Sequence, residues 1–328
     1  MSFETLQQRM LPLIEKELEK KLWIARDQLS EYNAEMSAYQ LSTGGKRLRA
    51  LIPLMVFQNL ESDPLKALPI GAAAEFLHNA TLVHDDIQDG DEYRRNEPTV
   101  WKRYSMPQAI NCGNALFQFA TLSILESDLD AKTKNEILAL ASKTTLQVIE
   151  GQAQEFLIKD SFLPNVEQYI DVVIGKTSGY FIFPFCAALL ALKVSAQDTK
   201  AAIESVTDLG IAFQIQDDII DLYGEKGRDR RGSDIAEGKV SIFVAHINQS
   251  EADLDKMLMT EILKKDRSLT TDHDIELVEA VFEKNESLAF AQKEMARYIE
   301  RAMTRKFENS RINDAITSLK QALILPRS

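Results

Sequence analysis

His84-Asp85-Asp86-Ile87-Gln88-Asp89 closes a long apolar segment, and Arg94-Arg95 follows it after a short polar stretch. If these residues are helical, Asp85 and Asp89 stand at i and i+4, so both carboxylates point the same way. Like charges at that spacing repel and weaken a helix by about 0.2–0.5 kcal/mol. A bound divalent cation is the evident reason for keeping them at the end of an apolar helix. The pattern returns in Asp217-Asp218-Ile219-Ile220-Asp221, after Phe213-Gln214-Ile215-Gln216, with its first residue 132 positions downstream (217 − 85). The expectation is two acidic helical faces that meet across a cavity and gather cations between them.

Outward from this stretch, His78, Leu82, Asp85 and Asp89 fall on one helical stripe at steps of four, three and four. His78 is therefore either a satisfied core histidine or a ligand below the carboxylates. Upstream, Ser42-Thr43-Gly44-Gly45 breaks a helical pattern that covers 3–39. Lys46-Arg47-Leu48-Arg49 then opens an apolar helix over 50–60, with Lys46 and Arg49 at i and i+3 on one face. Two cations at a helix N-terminus oppose its dipole unless an anion binds there; the alternative is a solvated basic turn. Arg94 and Arg95 are either counter-charges for the aspartates or bidentate grips on a metal-bound phosphate.

Further helices are expected over 72–89, 101–128, 133–157, 169–192, 199–223 and from 241 onward. Asn111-Cys112-Gly113-Asn114 suits a close approach of helices. Gly175-Lys176-Thr177-Ser178-Gly179 lies inside an apolar helix, where each Gly costs about 1 kcal/mol against Ala. A kink there would turn backbone carbonyls toward a cavity, and Lys176 in such company suggests function. Gln214, Asp217, Asp218 and Asp221 form one polar face on an otherwise apolar helix. The charged, Gly-containing loop 224–238 reads as a lid.

The chain has 328 residues, 45% of them hydrophobic and 27% charged, with nine Pro and thirteen Gly. Few helix breakers and abundant Ala, Leu and Glu predict an all-α single-domain bundle over 1–328. A net charge of −12 provides no basic footprint for nucleic acid. Two cysteines, Cys112 and Cys186, are too few for a disulfide framework and fit a reducing, cytoplasmic setting. The N-terminus lacks the layout of a signal peptide. The apolar run 180–192 contains Pro184 and falls short of the about 20 residues of a membrane span, so none is expected. Gly232 to Lys239 departs from a Walker A loop in spacing, with Val240 in place of Ser/Thr. Glu75-x-x-His78 lacks the second copy that a di-iron site needs, and no Cys/His spacing suits zinc. Aspartate oxygens favour Mg2+.

Five motifs then stand in order. They are Gly44-Gly45-Lys46-Arg47-Leu48-Arg49; Asp85-Asp86-x-x-Asp89 with Arg94-Arg95; Lys176-Thr177; Phe213-Gln214-Ile215-x-Asp217-Asp218-x-x-Asp221; and Gly232-x-Asp234 with Lys239. Over about residues 40–245 this order and spacing resembles the trans-isoprenyl diphosphate synthases, or polyprenyl synthetases. The resemblance implies an isoprenoid-synthase bundle around a deep central cavity, usually a homodimer, joining isopentenyl diphosphate to an allylic prenyl diphosphate. It implies about three Mg2+ ions per active site. Asp85, Asp89 and Asp217 would be metal ligands, supported by Asp86, Asp218 and Asp221. Lys46, Arg49, His78 and Arg95 would bind isopentenyl diphosphate. Arg94, Lys176, Gln214 and Lys239 would hold the allylic diphosphate, with Thr177 beside the developing cation; Lys176, Thr177 and Gln214 would thus be the catalytic set.

Some positions depart from the family pattern. Ala50 stands where Pro is common, Asn96 where Gly is common, and Arg230 at the place of a frequent lid lysine, so that either Arg230 or Arg231 would be the lid cation. One turn before Asp85, where farnesyl-making relatives are typically blocked by aromatics, this chain has Ala80 and Thr81. A product of C20 or longer follows. The alternatives are a farnesyl (C15) synthase and a regulatory subunit of a heteromeric synthase. Head-to-head synthases and class I cyclases share the ionisation chemistry but lack the Gly-Gly-Lys-Arg and Arg-Arg sites for a second, homoallylic diphosphate.

Overall fold

The computed structural model describes residues 3–28, 31–161, 164–224 and 232–324, and the side chains of all of these except 24–28. The fold is all-α, as the scarcity of Gly and Pro predicts. Helices run over Phe3–Gln28, Glu31–Ser42, Leu48–Asn59, Leu68–Gln88, Val100–Arg103, Met106–Leu125 and Ala131–Ser161. Val166–Val173, Gly179–Ala191, Ala196–Tyr223, Ser233–Ala236 and Ile242–Gln249 follow, then Asp253–Leu263, Asp272–Lys284, Ser287–Thr304 and Arg311–Leu323. Among the described residues the only sheet is a hairpin of two two-residue strands, Tyr93–Arg94 and Glu97–Pro98.

Local chemistry explains where helices start. Asn165 and Gln168 form a capping box, as do Thr271 and Asp274, each satisfying backbone N–H groups that have no partner within the helix. The helix expected over 101–128 is instead two, because Pro107 fixes the first turn of the second. Helix 3–39 is likewise two. The lid-like loop 224–238 contains a short helix, Ser233–Ala236; residues 225–231, including Arg230 and Arg231, lie outside the described residues.

The chain divides into two compact units. One comprises Met1–Thr145, Tyr180–Ile203 and Lys306–Ala322; the other comprises Leu146–Gly179, Glu204–Arg305 and Leu323–Ser328. In the first, Leu51, Ile52, Leu54, Phe76 and Leu116 are fully buried, each contributing about 1.5–3 kcal/mol through burial. Gly71 lets two of its helices cross closely, since a Cβ there would lie 2.6 Å from the Ala50 carbonyl oxygen. In the second, Ile215, Ile219, Phe243, Val278 and Phe282 share one core. The Phe243 and Phe282 rings stack with centroids 5.3 Å apart.

The helix expected over 169–192 forms, without the expected kink. The Ile174–Ser178 turn is π-helical rather than a break, so the helical path spans Val166–Ala191. Those 26 residues are long and apolar enough to cross a membrane, yet 83% of the most apolar window is buried inside the protein. That is the signature of a core helix as much as of a span.

Candidate active site

The first unit assembles a cationic cluster next to the first aspartate motif. The Leu68–Gln88 helix carries His78, Asp85 and Asp86, with Asp89 as its C-cap. Asp86 is buried and its Oδ1 accepts from Arg94, at 2.7 Å from Nε and 2.6 Å from Nη2. Burial pushes its carboxyl up to about 6, against the pull of Arg94. Arg94 thus acts as a counter-charge here. Its neighbour Arg95 turns the other way and donates to the Gly44 carbonyl. A Cβ on Gly45 would lie 2.8 Å from Arg95 Nη1, so Gly45 makes room for this guanidinium. Sequence-distant motifs, Gly44-Gly45-Lys46 and Arg94-Arg95, therefore meet in space.

Lys46 is placed differently from expectation. The helix begins at Leu48, with Arg47 as a left-handed N-cap at φ 49°. Lys46 lies in the preceding turn and shares no helical face with Arg49, because this backbone reversal separates them. Arg47, quoted within the motif but given no role, is the buried one. Its Nε donates to Glu15 at 2.7 Å, its Nη1 to Glu75 at 3.1 Å and its Nη2 to the Leu41 carbonyl at 2.6 Å. Its ion pairs fasten the basic turn to the helix of His78.

Arg49 lies over the Phe181 ring, 5.0 Å from its centroid, and His78 packs on Tyr180 at 5.9 Å. Burial, and then the charges of Arg49, Arg94, Arg95 and Arg47, hold the His78 pKa well below its usual value. The imidazole is therefore neutral and offers an N–H without adding charge. Ala80 is fully buried, and the Thr81 hydroxyl donates to the His78 carbonyl at 2.9 Å. Gly113 admits not a neighbouring backbone but the His84 imidazole, whose Nε2 would lie 2.2 Å from an added Cβ.

The second unit holds the other motifs. Gly151 of the Ala131–Ser161 helix packs on the π turn, where an added Cβ would meet the Lys176 nitrogen at 2.3 Å. A π turn leaves carbonyls out of the regular ladder, and that of Ile174 accepts from Gln147 Nε2 at 3.3 Å. Lys176 is paired with Glu155, a residue that nothing in the sequence singles out beyond its place in Gly151-Gln152-Ala153-Gln154-Glu155. The Thr177 hydroxyl donates to Gln214 Oε1 at 3.0 Å, and Gln214 Nε2 donates to Asp218 Oδ1 at 3.0 Å.

Asp218 is buried and also accepts from the Tyr169 hydroxyl at 2.8 Å and the Ile242 amide at 2.9 Å. Burial raises its pKa all the same. Asp221 accepts from the Ser233 hydroxyl at 2.7 Å and the Asp234 amide at 3.1 Å. It anchors the chain that leads to Lys239, which pairs with Asp234 at 3.2 Å. Burial acts to lower the Lys239 pKa, but Asp234 and Asp218 outweigh it and hold the ammonium well above the usual lysine value. Asp217 is half-buried on the same helix.

The donor set suits a hard divalent cation. Among the described residues no three His, Cys, Asp or Glu side chains converge into a ready-made metal site. Mg2+ commonly takes one or two carboxylates and completes its octahedron with waters and substrate phosphates. The buried, unpartnered Asp86 Oδ2 adds a further oxygen beside Asp85.

The polyprenyl synthetase family profile matches residues 30–281, well over half of the chain. The chain belongs to the polyprenyl synthetase family. This polyprenyl synthetase is 34% identical over 256 residues to a short chain isoprenyl diphosphate synthase from Methanocaldococcus jannaschii, covering 77% of the chain and 76% of that protein. It is 34% identical over 239 residues to a geranylgeranyl diphosphate synthase from Saccharolobus solfataricus, covering 71% of each. In structure it resembles the geranylgeranyl pyrophosphate synthetase from Pyrococcus horikoshii with a TM-score of 0.84 at 26% identity, covering 99% of both chains. As a family member it is a prenyltransferase.

Proposed function

We propose that this prenyltransferase condenses isopentenyl diphosphate head-to-tail with an allylic prenyl diphosphate, giving an all-trans polyprenyl diphosphate of C20 or longer. Two relatives named above are geranylgeranyl synthases, and the residues one turn before Asp85, Ala80 and Thr81, are themselves small. The observation that carries the reading is the cluster of Arg49, His78 and Arg95 beside the Asp85 motif. We read it as a site for a second, homoallylic diphosphate, a substrate that neither cyclases nor head-to-head synthases use. A regulatory subunit would have little use for six retained motif aspartates.

In this reading, Asp85, Asp89 and Asp217 are the metal ligands, with about three Mg2+ ions for the allylic diphosphate. Bound there, Mg2+ would neutralise charge growing on the leaving pyrophosphate. Lys176, Lys239 and Arg94 hold the same group electrostatically, which favours breaking of the C–O bond. Thr177 and Gln214 present oxygen dipoles to the allylic cation. Arg49, Arg95, Lys46 and neutral His78 hold isopentenyl diphosphate so that its alkene attacks that cation. The proton then lost from carbon goes to the departing pyrophosphate. Buried apolar walls keep water from quenching the cation.

Exposed apolar residues on the Ala131–Ser161 helix, Leu146, Ile149 and Leu157 at 66%, 52% and 69%, support a homodimer through this face. Sedimentation would read the assembly. Free, buried Cys112 and Cys186 favour a reducing, cytoplasmic setting. The decisive assay is pyrophosphate release by purified protein with Mg2+, with and without isopentenyl diphosphate, alongside chain-length analysis by mass spectrometry. Release independent of isopentenyl diphosphate would point to a cyclase, and a clean C15 product would defeat the chain-length reading.

A further inference from the structure

Arg94 and Arg95 sit on the smallest regular element of the first unit, a two-residue hairpin loop. Tyr93 pairs with Pro98 and Arg94 with Glu97. The loop residues Arg95 and Asn96 both have positive φ, 55° and 66°, the pattern of a type I′ turn. Asn tolerates that conformation, whereas Arg pays about 1–2 kcal/mol for it. Two strands of two residues cannot hold such a turn alone, since even longer isolated hairpins are marginal in water. Something outside the ladder must fix it.

Three side chains do so. The Thr99 hydroxyl donates to the Asp91 carbonyl at 2.9 Å, and its amide donates to the Glu92 carbonyl at 2.9 Å. The Tyr39 hydroxyl donates to the Pro98 carbonyl at 2.5 Å from a different helix. The indole N–H of Trp101 is shared between two carbonyls, Asp86 at 3.0 Å and Asp91 at 2.9 Å. The first lies in the last turn of the aspartate helix and the second at the root of the hairpin. The Asp91 amide also donates to the Asp86 carbonyl at 2.9 Å. The indole N–H thus joins the Asp91 amide and Arg94 in tying the helix of Asp85 to the arm of Arg95.

We propose that Trp101 is a positioning residue whose indole N–H sets the register between the aspartate helix and the Arg94–Arg95 hairpin, and so the affinity for isopentenyl diphosphate. The inference rests on reading Arg95 as a ligand of that diphosphate. Without the N–H the two carbonyls lose their shared donor. The hairpin then shifts against the helix while Arg94 stays paired with Asp86, so the arm turns about that ion pair and carries Arg95 away from Gly44. Substrate affinity changes more than turnover, because Trp101 touches no reacting atom.

Steady-state kinetics of Trp101→Phe test this. The expected result is an about ten-fold higher KM for isopentenyl diphosphate, with kcat within about two-fold and the allylic KM unchanged. Hydrogen exchange at residues 94–96 should rise in the same variant. An unchanged KM, or a uniform loss in kcat and both KM values, would overturn the proposal. Should Trp101→Phe fail to fold, benzothienylalanine incorporated in a Trp23→Phe background replaces the indole N–H by sulfur at nearly the same volume, and the same KM split is expected. Arg95→Gln separates the two layers. If it leaves the isopentenyl diphosphate KM unchanged, the ligand assignment fails and this proposal with it. If it raises KM while Trp101→Phe does not, only the role of Trp101 fails.

Discussion

The Thr177 hydroxyl donates to Oε1 of Gln214 at 3.0 Å, and that amide in turn donates to Asp218. A residue from the π turn is thereby coupled to the buried carboxylate of the second aspartate motif. Thr177→Val removes the donor and leaves Gln214 Oε1 without it. The expected loss is about ten-fold in kcat/KM for the allylic substrate, equivalent to about 1.4 kcal/mol. Thr177→Ser, which keeps the hydroxyl, should retain most of the activity. Equal losses in both variants would show that the methyl group, rather than the hydrogen bond, matters.

Gly151 is required by packing. Its added Cβ would stand 2.3 Å from the Lys176 nitrogen and 2.6 Å from the Gly175 carbonyl carbon, both backbone atoms that cannot swing aside. Gly151→Ala should therefore separate the Ala131–Ser161 helix from the π turn at a cost of about 1–3 kcal/mol. Urea denaturation measures that cost, and kcat should fall with it as Lys176 and Thr177 are displaced. A variant of unchanged stability would mean that the two segments are not in contact in solution.

Ala80 is fully buried on the Leu68–Gln88 helix, close to one turn before Asp85. Ala80→Phe should shorten the dominant product. Mass spectrometry of the products from labelled isopentenyl diphosphate reads this directly. An unchanged chain length in a folded variant would show that the growing tail does not pass Ala80.

The Asp274 carboxyl is held down to about 2, first by the Lys265 ammonium at 2.6 Å and then by its capping bonds to Thr271. Its folded pKa lies below its unfolded value of about 3.9. The native state thus binds fewer protons across that window, and the stability from ionised Asp274 is present above about pH 4 and lost as pH falls toward about 2. Asp274→Asn should lower Tm at pH 7 and flatten the decline of Tm between those two values. Parallel pH profiles for both proteins would rule out this contribution.

Lys46 and Arg49 illustrate where sequence spacing misleads. Their i, i+3 placement assumes a helix that starts two residues early. The left-handed Arg47 ends that assumption, since no local pattern predicts a non-glycine residue at φ 49°. Arg47 is held there by Glu15 and Glu75, 32 and 28 residues away in sequence. The π turn is a similar case. Two glycines predict weak helix, but only the close seat against Gly151 decides between a kink and a widened turn.

Taken alone, the sequence determined the all-helical class and the carboxylate pairs. It also supplied an ordered set of basic residues specific enough to mark the family. The class follows from composition and the pairs from helical period, while the family rests on the resemblance of the ordered motifs over about residues 40–245. Tertiary structure decided the state of each charge: Arg94 bound to Asp86, Arg95 turned to Gly44, Lys176 paired with Glu155, His78 kept neutral. Charge state depends on burial and on neighbours brought in from distant parts of the chain, and a linear pattern carries neither.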